Sequence, residues 1–327
     1  MNINEIARLS GVSRATVSRY LNNGYVSEEK KEAIRCVIEQ TGYEPSRQAR
    51  NLRSSVTRLI GVIIPRIQSE AVSRMVAGIS EVLSAEGYQL LLANTQNHVK
   101  EELKYLKIFR KNQVDGIIFM GTMFSKEHLQ LMKELEVPVV IAAQELENYS
   151  CVYQDDYHAS YEAAKLLLKK GTQFGYIGVT EKDKAVGEAR KKGFLDAIKD
   201  SGVKNRRKYM YETEFRVDGG YEKAKELLEQ HPQTDSIFCA TDSLAAGALR
   251  YLHEQNIPVP EQVQLLGFGD TELGNIVTPA ITSVHFHYKT TGMEAAKLLL
   301  EILQSGTDLK KQIKMGYQLV EKASTRA

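Results

Sequence analysis

Residues 11–23 read GVSRATVSRYLNN, and this stretch predicts a helix-turn-helix. Ser10, Gly11 and Val12 supply a tight turn between two helices. Ser13 is suited to cap the second helix, because its hydroxyl can accept a hydrogen bond from a first-turn amide. We expect that helix to run from Arg14 to Leu21, with Val17 and Leu21 facing inward.

The other face of this helix carries Arg14, Ala15, Ser18, Arg19 and Asn22. An arginine fork matches O6 and N7 of guanine, and serine and threonine hydroxyls suit phosphate oxygens. The face is therefore typical of a DNA-reading helix. Periodicity alone leaves a second interpretation open, a small helical bundle with a solvated basic face.

The segments around this motif complete a small all-α head, residues 1–45. Apolar positions predict a first helix with Ile3, Ile6 and Ala7 inside, and a third helix that Ser27 caps and Gly42 ends. The arginine-rich residues 46–57 have too few apolar side chains for a core, so we expect a hinge helix or linker.

Charge is distributed unevenly along a chain whose net charge is only +2. Residues 1–57 hold nine Lys/Arg and six Asp/Glu, which gives +3 and leaves about −1 for the rest. A basic head on a neutral body suits nucleic-acid binding.

No secretory signal or long apolar span is present, so we expect no membrane contact and a cytoplasmic, nucleoid-associated location. Cys36, Cys151 and Cys239 are expected to be core residues rather than disulfide partners or metal ligands.

Beyond Thr57, apolar runs alternate with amphipathic helical patterns, which predicts parallel sheets covered on both faces. The runs are too many for one sheet. We therefore expect a body, residues 58–327, of two doubly wound lobes: lobe 1 at about 58–155 and 285–315, lobe 2 at about 156–284 and 316–327. Predicted strands are Leu59–Pro65, Tyr88–Ala93, Asp115–Met120, Val137–Ala142, Phe174–Val179, Ile237–Ala240 and Val263–Phe268.

The head resembles the DNA-binding domain of the lactose-repressor (LacI/GalR) family. The shared features are Gly11-Val12-Ser13, Thr16-Val17-Ser18-Arg19, Leu21-Asn22, Gly42-Tyr43-Glu44-Pro45 and Ala49-Arg50-Asn51-Leu52. The resemblance implies that Arg14 and Ala15 read variable bases, that Arg19 reads a base, and that Leu52 wedges into the minor groove. Packing of Leu52 on the head is the alternative. The implied DNA contacts are Asn2, Ser13, Arg14, Ala15, Thr16, Ser18, Arg19, Asn22, Arg47, Ala49 and Leu52.

Members of this family act as homodimers on pseudo-palindromic double-stranded operators, so the resemblance also implies a dimer. The end of the chain shows no leucine-heptad tail, which favours a dimer over a tetramer.

The body resembles the same family and periplasmic sugar-binding proteins. The matching segments are Arg58–Pro65, Gln113–Thr122, Ala189–Ile198 and Ser236–Asp270. This implies a periplasmic-binding-protein-like fold with a small-molecule sugar effector between the lobes. Expected effector contacts are Thr122, Gln144, Asp155, Arg190, Phe215, Asp242 and Asp270. The alternatives are helix capping for Asp242, a surface ion pair for Arg190, and capping or core packing for the others.

Three departures from the family pattern bear on the ligand. Ile67-Gln68-Ser69-Glu70 replaces Asn-Pro-Phe-Phe, which removes an aromatic wall, and Gly267–Asp270 retains one of two acids. Residues 151–165, CVYQDDYHASYEAAK, are rich in aromatics. We take this richness to favour a larger ligand such as a disaccharide.

These patterns predict a sequence-specific transcriptional repressor of a carbohydrate-utilisation operon, controlled by a sugar. One alternative is a global catabolite regulator that uses a phosphoprotein corepressor, for which Lys297 is a candidate contact. Another is a sugar receptor or a sugar-modifying enzyme. We expect no enzyme, because no nucleophile elbow or phosphate loop is present. We also expect no cofactor and no metal, although His285 and His287 would share one face of a strand.

Overall fold

The computed structural model describes residues 1–22, 24–43, 56–112, 114–202, 207–307 and 310–326. The chain divides into two compact units, Met1–Thr57 and Arg58–Ala327. We call them the head and the body and describe each by itself.

The head contains three helices, α1 (Ile3–Leu9), α2 (Arg14–Leu21) and α3 (Glu28–Thr41). The hydrophobic core of the head contains the buried side chains of Ile6, Ala7, Val17 and Ile34. Two sequence expectations are wrong here. Ser27 occupies the N-cap of α3, but its side chain makes no capping hydrogen bond, and Cys36 is exposed rather than part of the core.

In chain order, the strands of the described body are β1 (Leu59–Ile64), β2 (Gln89–Asn94), β3 (Gly116–Phe119), β4 (Val139–Ala142), β5 (Ser150–Gln154), β6 (Gln173–Gly178), β7 (Arg207–Glu212), β8 (Ser236–Cys239), β9 (Gln264–Phe268), β10 (Thr282–Phe286), β11 (Gln312–Met315) and β12 (Tyr317–Val320). Its helices are α4 (Glu70–Ala85), α5 (Val99–Lys111), α6 (Lys126–Lys133), α7 (Asp156–Leu168), a π-helix (Lys184–Ala189), α8 (Arg190–Asp200), α9 (Val217–Gln230), α10 (Asp242–Glu254), α11 (Glu272–Ile276) and α12 (Tyr288–Ser305). None of the helices in the described ranges is long and apolar enough to cross a membrane.

The strands form two six-stranded sheets. Lobe 1 has the order β11-β5-β4-β3-β1-β2 and lobe 2 the order β12-β10-β9-β8-β6-β7. The strand pairs of both sheets are parallel except for β10 with β12. In each lobe the order reverses beside the first strand, which is the doubly wound arrangement that places ligands beyond the carboxyl ends of the strands. The predicted fold class is confirmed.

The chain crosses between the lobes at three points. The first lies between β5 and α7, the second between β10 and α12, and the third between β11 and β12. The second crossing corrects the expected lobe boundary. His285 and Phe286 pair with β12 in the second sheet, so lobe 1 resumes after them rather than at residue 285.

Close packing of α4 on α12 depends on two glycines. A Cβ at Gly78 would collide with the carbonyl oxygen of Lys289, and a Cβ at Gly292 would collide with that of Met75. The two helices therefore approach backbone to backbone. This pair of helices covers one face of the lobe 1 sheet and carries residues toward the cleft.

Candidate effector cleft and nucleic-acid interface

The predicted DNA-reading helix is present with the expected limits and exposure. Ser13 caps α2, accepting a hydrogen bond from the Thr16 amide at 3.2 Å. Val17 is buried, whereas Arg14, Ala15 and Arg19 are exposed. A capped helix thus carries two exposed arginines, a residue type suited to base readout.

The remaining polar candidates of the head have local bonding roles. Asn2 caps α1 in a reciprocal capping box with Glu5. Thr16 shares a 2.9 Å hydrogen bond with the Ser13 hydroxyl. Asn22 is exposed, and its amide donates to the carbonyl oxygen of Ser18 at 2.6 Å. These bonds position the side chains without excluding phosphate contacts.

Arg47, Ala49 and Leu52 lie outside the described residues, within the segment 44–55. The expected hinge and the minor-groove wedge therefore stay predictions from the sequence.

The body contains a cleft of about 730 Å³ between the lobes. Its walls come largely from segments that follow the carboxyl ends of strands in both sheets. Polar lining residues include Arg66, Gln68, Glu70, Gln96, Thr122, Gln144, Gln154, Asp156, Asp183, Arg190, Glu214, Arg216, Thr241, Asp242, Ser243, Thr271 and Tyr288, and aromatic ones include Phe215 and Phe268. The volume falls within the range of small-molecule sites, roughly 300–1,000 Å³.

Arg190 is a deeply buried cation of the cleft wall, with 4% of its surface exposed. Its Nε and Nη2 atoms each lie 2.7 Å from Oδ1 of Asp156, and its Nη1 donates to the Ala240 carbonyl oxygen at 2.5 Å. Burial lowers the pKa of Arg190, but Asp156 and the Tyr288 hydroxyl outweigh it, so the pKa is raised. Arg190 is thus not in a surface ion pair.

Tyr288 completes this buried cluster. Burial raises the pKa of Tyr288 to about 12, although the neighbouring Arg190 acts in the opposite direction. The phenol therefore stays protonated at physiological pH and can act as a hydrogen-bond donor or acceptor at the cleft.

Asp242 is fully buried at the start of α10. Its Oδ1 accepts from the Ser283 hydroxyl at 2.6 Å, and its Oδ2 accepts from the Thr271 amide at 2.7 Å and the Thr271 hydroxyl at 3.0 Å. Burial raises the pKa of Asp242, and these hydrogen bonds oppose the shift. Capping of α10 falls to Thr241 instead. Asp242 therefore fixes the loop after β9 against β10.

Gln144 and Asp183 meet across the cleft. The Gln144 amide, on the loop after β4 in lobe 1, donates to Asp183 Oδ1 in lobe 2 at 2.8 Å and to the Thr122 carbonyl oxygen at 3.2 Å. The Thr122 hydroxyl donates to Asn97 Oδ1 at 2.6 Å. Burial raises the pKa of Asp183, while the Val186 amide and Gln144 lower it.

Phe215 forms a second contact between the lobes. The Arg66 guanidinium, after β1 in lobe 1, lies 4.0 Å from the centroid of the Phe215 ring. Its Nη1 also donates to the Phe215 carbonyl oxygen at 3.3 Å. Burial lowers the pKa of Arg66, and the Asp183 carboxylate partly offsets this. One face of Phe215 is thus covered by arginine.

Two expected effector contacts do not line the cleft. Asp155 caps α7 and lies 2.9 Å from His158 Nδ1, because the chain turns into α7 and only the next residue points inward. Asp270 accepts from Lys322 at 2.6 Å and lies 3.0 Å from His285 Nδ1.

The aromatic run at residues 151–165 also lies elsewhere. Tyr157 donates to Asp196 at 3.0 Å and Tyr161 donates to Asp200 at 3.1 Å, so both rings pack against α8. The argument for a disaccharide that rested on these rings is wrong, since neither lines the cleft.

Sequence reasoning missed Arg66, Asp156, Asp183 and Tyr288, which all line the cleft. A signal existed for the first three, because each follows the carboxyl end of a strand. Asp156 follows β5, which itself was not predicted. Tyr288 lies at a lobe crossing, and only the tertiary structure reveals that position.

No group of three or more His, Cys, Asp and Glu side chains in the described parts of the chain is placed to hold a metal. The rings of His285 and His287 lie 5.0 Å apart, and His285 is engaged by Asp270. Lys297, the candidate corepressor contact, pairs with Glu294 at 2.8 Å on α12.

A helix-turn-helix head and a two-lobed body with an interlobe cleft define a ligand-responsive DNA-binding regulator. The chain belongs to the lacI family of bacterial regulatory proteins, whose model matches residues 2–46. A periplasmic binding protein-like domain model matches residues 163–325. The predictions of family and of a DNA-binding transcriptional regulator are confirmed.

Three relatives illustrate the range of the family. The chain is 34% identical to the sucrose operon repressor of Staphylococcus xylosus, over 93% of this chain and 94% of that protein. It is 30% identical to catabolite control protein A of Priestia megaterium, over 100% and 99%. It is 31% identical to the ribose operon repressor of Halalkalibacterium halodurans, over 92% and 90%.

Solved structures agree with the architecture. A complex of the regulator CelR with cellobiose matches with a TM-score of 0.75 and 25% identity, over 99% of both chains. The lac repressor dimer bound to operator matches with a TM-score of 0.89 over 100% of this chain and 99% of that one; at 19% identity it shows the fold alone.

Proposed function

We propose that the chain represses a carbohydrate-utilisation operon and that a sugar in the interlobe cleft controls its binding to the operator. The observation that carries this proposal is the cleft of about 730 Å³, in which buried carboxylate, guanidinium and amide groups converge from both lobes. Such groups are suited to pairs of sugar hydroxyls. The sucrose and ribose repressors among the relatives support the same ligand class.

Thr122, Gln144, Arg190, Phe215 and Asp242 are the sequence-predicted effector residues that this proposal retains, because they line the cleft. The cleft volume, rather than the aromatic run, supports a ligand the size of a disaccharide. The relatives are regulators, so the proposal assigns the chain no catalytic reaction and places it with operator DNA in a bacterial cytoplasm.

The DNA partner is a pseudo-palindromic operator read by two copies of α2 in a homodimer. Arg14 and Arg19 are exposed on that helix and suited to guanine. Symmetric dimers of helix-turn-helix proteins generally read such operators, which supports this arrangement.

Fluorescence anisotropy with the full chain tests the proposal. Labelled pseudo-palindromic duplexes and a random duplex would be titrated at physiological salt, with and without sucrose, cellobiose and ribose. We expect at least a thousandfold preference for one palindrome, and a change in that affinity with one of the sugars. Equal affinity for the random duplex would refute DNA regulation, and no response to any sugar would refute the ligand class.

Global catabolite regulation with a phosphoprotein corepressor is the second candidate, because catabolite control protein A is a relative over the whole chain. Lys297 gives it little support, since its ammonium is paired with Glu294. Operator affinity that rises only when a serine-phosphorylated partner protein is added would favour this candidate over the first.

A further inference from the structure

Arg66 leaves one donor in the cleft wall unused. Its Nη1 donates to the Phe215 carbonyl oxygen, and its guanidinium plane lies over the Phe215 ring. Its Nε is buried and has no hydrogen-bond partner within the described part of the chain. A buried donor without an acceptor is destabilising, so this atom is suited to an acceptor that a ligand supplies.

On the opposite lobe, the Asp183 carboxylate is held through one of its two oxygens. The residue is 1% exposed. Three donors converge on its Oδ1: the Ala185 amide at 3.1 Å, the Val186 amide at 2.9 Å and the Gln144 side chain at 2.8 Å. None of these hydrogen bonds reaches Oδ2. The carboxylate is thus oriented by its first oxygen, and the second can accept a hydrogen bond from a ligand.

The two groups act on the same space. Both line the cleft, and the Asp183 carboxylate stabilises the charged form of Arg66, which raises the pKa of that guanidinium against the effect of burial. A hydroxyl group can donate one hydrogen bond to a carboxylate and accept another from a guanidinium, so hydroxyl groups of one ligand suit both Arg66 and Asp183. A phosphate would satisfy Arg66 but would meet a second negative charge at Asp183.

We propose that Arg66 and Asp183 form a hydroxyl-recognition subsite that selects a neutral sugar over its phosphorylated form. This inference rests on the proposed function and specifies its ligand. Because Arg66 belongs to lobe 1 and Asp183 to lobe 2, the bound hydroxyl also joins the two lobes. Binding energy gained there favours the lobe arrangement that brings both groups together.

Isothermal titration calorimetry on the full chain tests the subsite with matched probes: sucrose and sucrose 6-phosphate, cellobiose and cellobiose 6-phosphate, ribose and ribose 5-phosphate. We expect the neutral member of one pair to bind and its phosphate to bind at least tenfold more weakly. Asp183→Asn keeps Oδ1 as the acceptor of the two amides and replaces Oδ2 by a donor. It should weaken the neutral sugar roughly 10- to 150-fold and reduce the discrimination against the phosphate.

Each of two cleft variants, Asp183→Asn and Arg66→Met, has a control outside the cleft. Asp155→Asn makes the same exchange at the N-cap of α7, outside the cleft, and should leave sugar affinity unchanged. Arg66→Met keeps an apolar stem over Phe215 but removes the donors, and should weaken the sugar at least tenfold. Arg110→Met, on the exposed side of α5, is its control. Thermal melts of each cleft variant and its control verify folding. If Asp183→Asn does not fold, the sugar affinity of Arg66→Met tests the subsite.

The outcomes separate the two proposals. If a neutral sugar binds and shifts operator affinity, but both cleft variants bind it as the wild type does, the subsite is wrong and the proposed function stands. If a phosphorylated sugar binds more tightly than its neutral partner, the selectivity is overturned. If no probe binds the wild type or alters operator binding, the proposed function fails and the subsite fails with it.

Discussion

Removing the charge of Asp156 should destabilise the body by about 3 kcal/mol. The Asp156 and Arg190 side chains are each 5% exposed, and two guanidinium nitrogens lie 2.7 Å from the same carboxylate oxygen. In Asp156→Asn the amide oxygen can still accept a hydrogen bond, but the guanidinium loses its only counter-charge within that contact. The ring centroids of Phe268 and Phe286 lie 4.7 and 5.3 Å from the Arg190 guanidinium carbon, and their attraction for the cation replaces little of the lost counter-charge.

The magnitude follows from the cost of leaving one partner of a buried pair unpaired, about 3–5 kcal/mol. We take the lower end because the Ala240 carbonyl oxygen still accepts from Arg190. Arg190→Met should cost less, since the remaining Asp156 can take up a proton and become neutral. The double variant removes both charges, so we expect it to be more stable than Asp156→Asn alone by at least about 1 kcal/mol.

Urea unfolding at pH 7, followed by far-ultraviolet circular dichroism of the body transition, measures these differences. The control is Glu254→Gln, which breaks an exposed arginine–carboxylate pair with Arg250 at 3.0 Å and should cost much less than Asp156→Asn, because solvent screens exposed ion pairs. A loss for Asp156→Asn no larger than that of the control would refute the reasoning. So would a double variant as unstable as Asp156→Asn, because the penalty would then not come from an unpaired guanidinium.

Three further predictions concern other parts of the chain. Burial raises the pKa of Asp270, but contacts with Lys322 and His285 outweigh it and hold the pKa below its usual value. Asp270→Asn should therefore lower the free energy of unfolding by roughly 1 kcal/mol at pH 7, a value discounted for partial exposure. In urea unfolding, this difference from the wild type should vanish as the pH falls from about 4 through the folded-state pKa of Asp270. Arg19→Ala should cost about 1–3 kcal/mol of specific operator binding in anisotropy titrations, because the side chain is exposed on the reading face of α2. Gly292→Ala should cost about 1–3 kcal/mol of folding stability in urea unfolding, since its Cβ would collide with the backbone of α4.

Each of these predictions has a matched control. A deficit of Asp270→Asn that persists unchanged at pH 2 would show that the lost interaction was not ionic. Arg35→Ala removes an exposed arginine from α3 rather than α2; an equal loss of operator affinity would mean that Arg19 contributes only general charge. Gly316→Ala adds a methyl group where nothing lies within 4 Å, and equal stability of the two glycine variants would contradict tight packing of α12 on α4.

Much of the fold could be predicted because its signals are local. Ser13 and Gly42 specify the ends of α2 and α3 through their own side chain and backbone, and the structure has both caps. Strands buried on both faces read as apolar runs, so β1, β3 and β8 were evident. By contrast, β7 reads RKYMYE, and β11 and β12 are only partly buried at the sheet edges. Edge strands need no continuous apolar run, which is why the pattern did not reveal them.

The cleft was less predictable because function there depends on which atoms remain unused. Asp242 was identified from a motif, yet all of its described hydrogen bonds go to the protein itself, and its position supports the loop after β9. Arg66 and Asp183 carry no motif signal, but both line the cleft. Arg66 Nε is buried without a partner in the described residues, and the three donors to Asp183 all reach Oδ1. A residue type indicates which hydrogen bonds a side chain can make. Only the tertiary structure shows which of them the fold has already taken, and the remainder is what a ligand can recognise. For this reason the discrimination between sugar hydroxyl and phosphate should depend more on Asp183 than on Asp242.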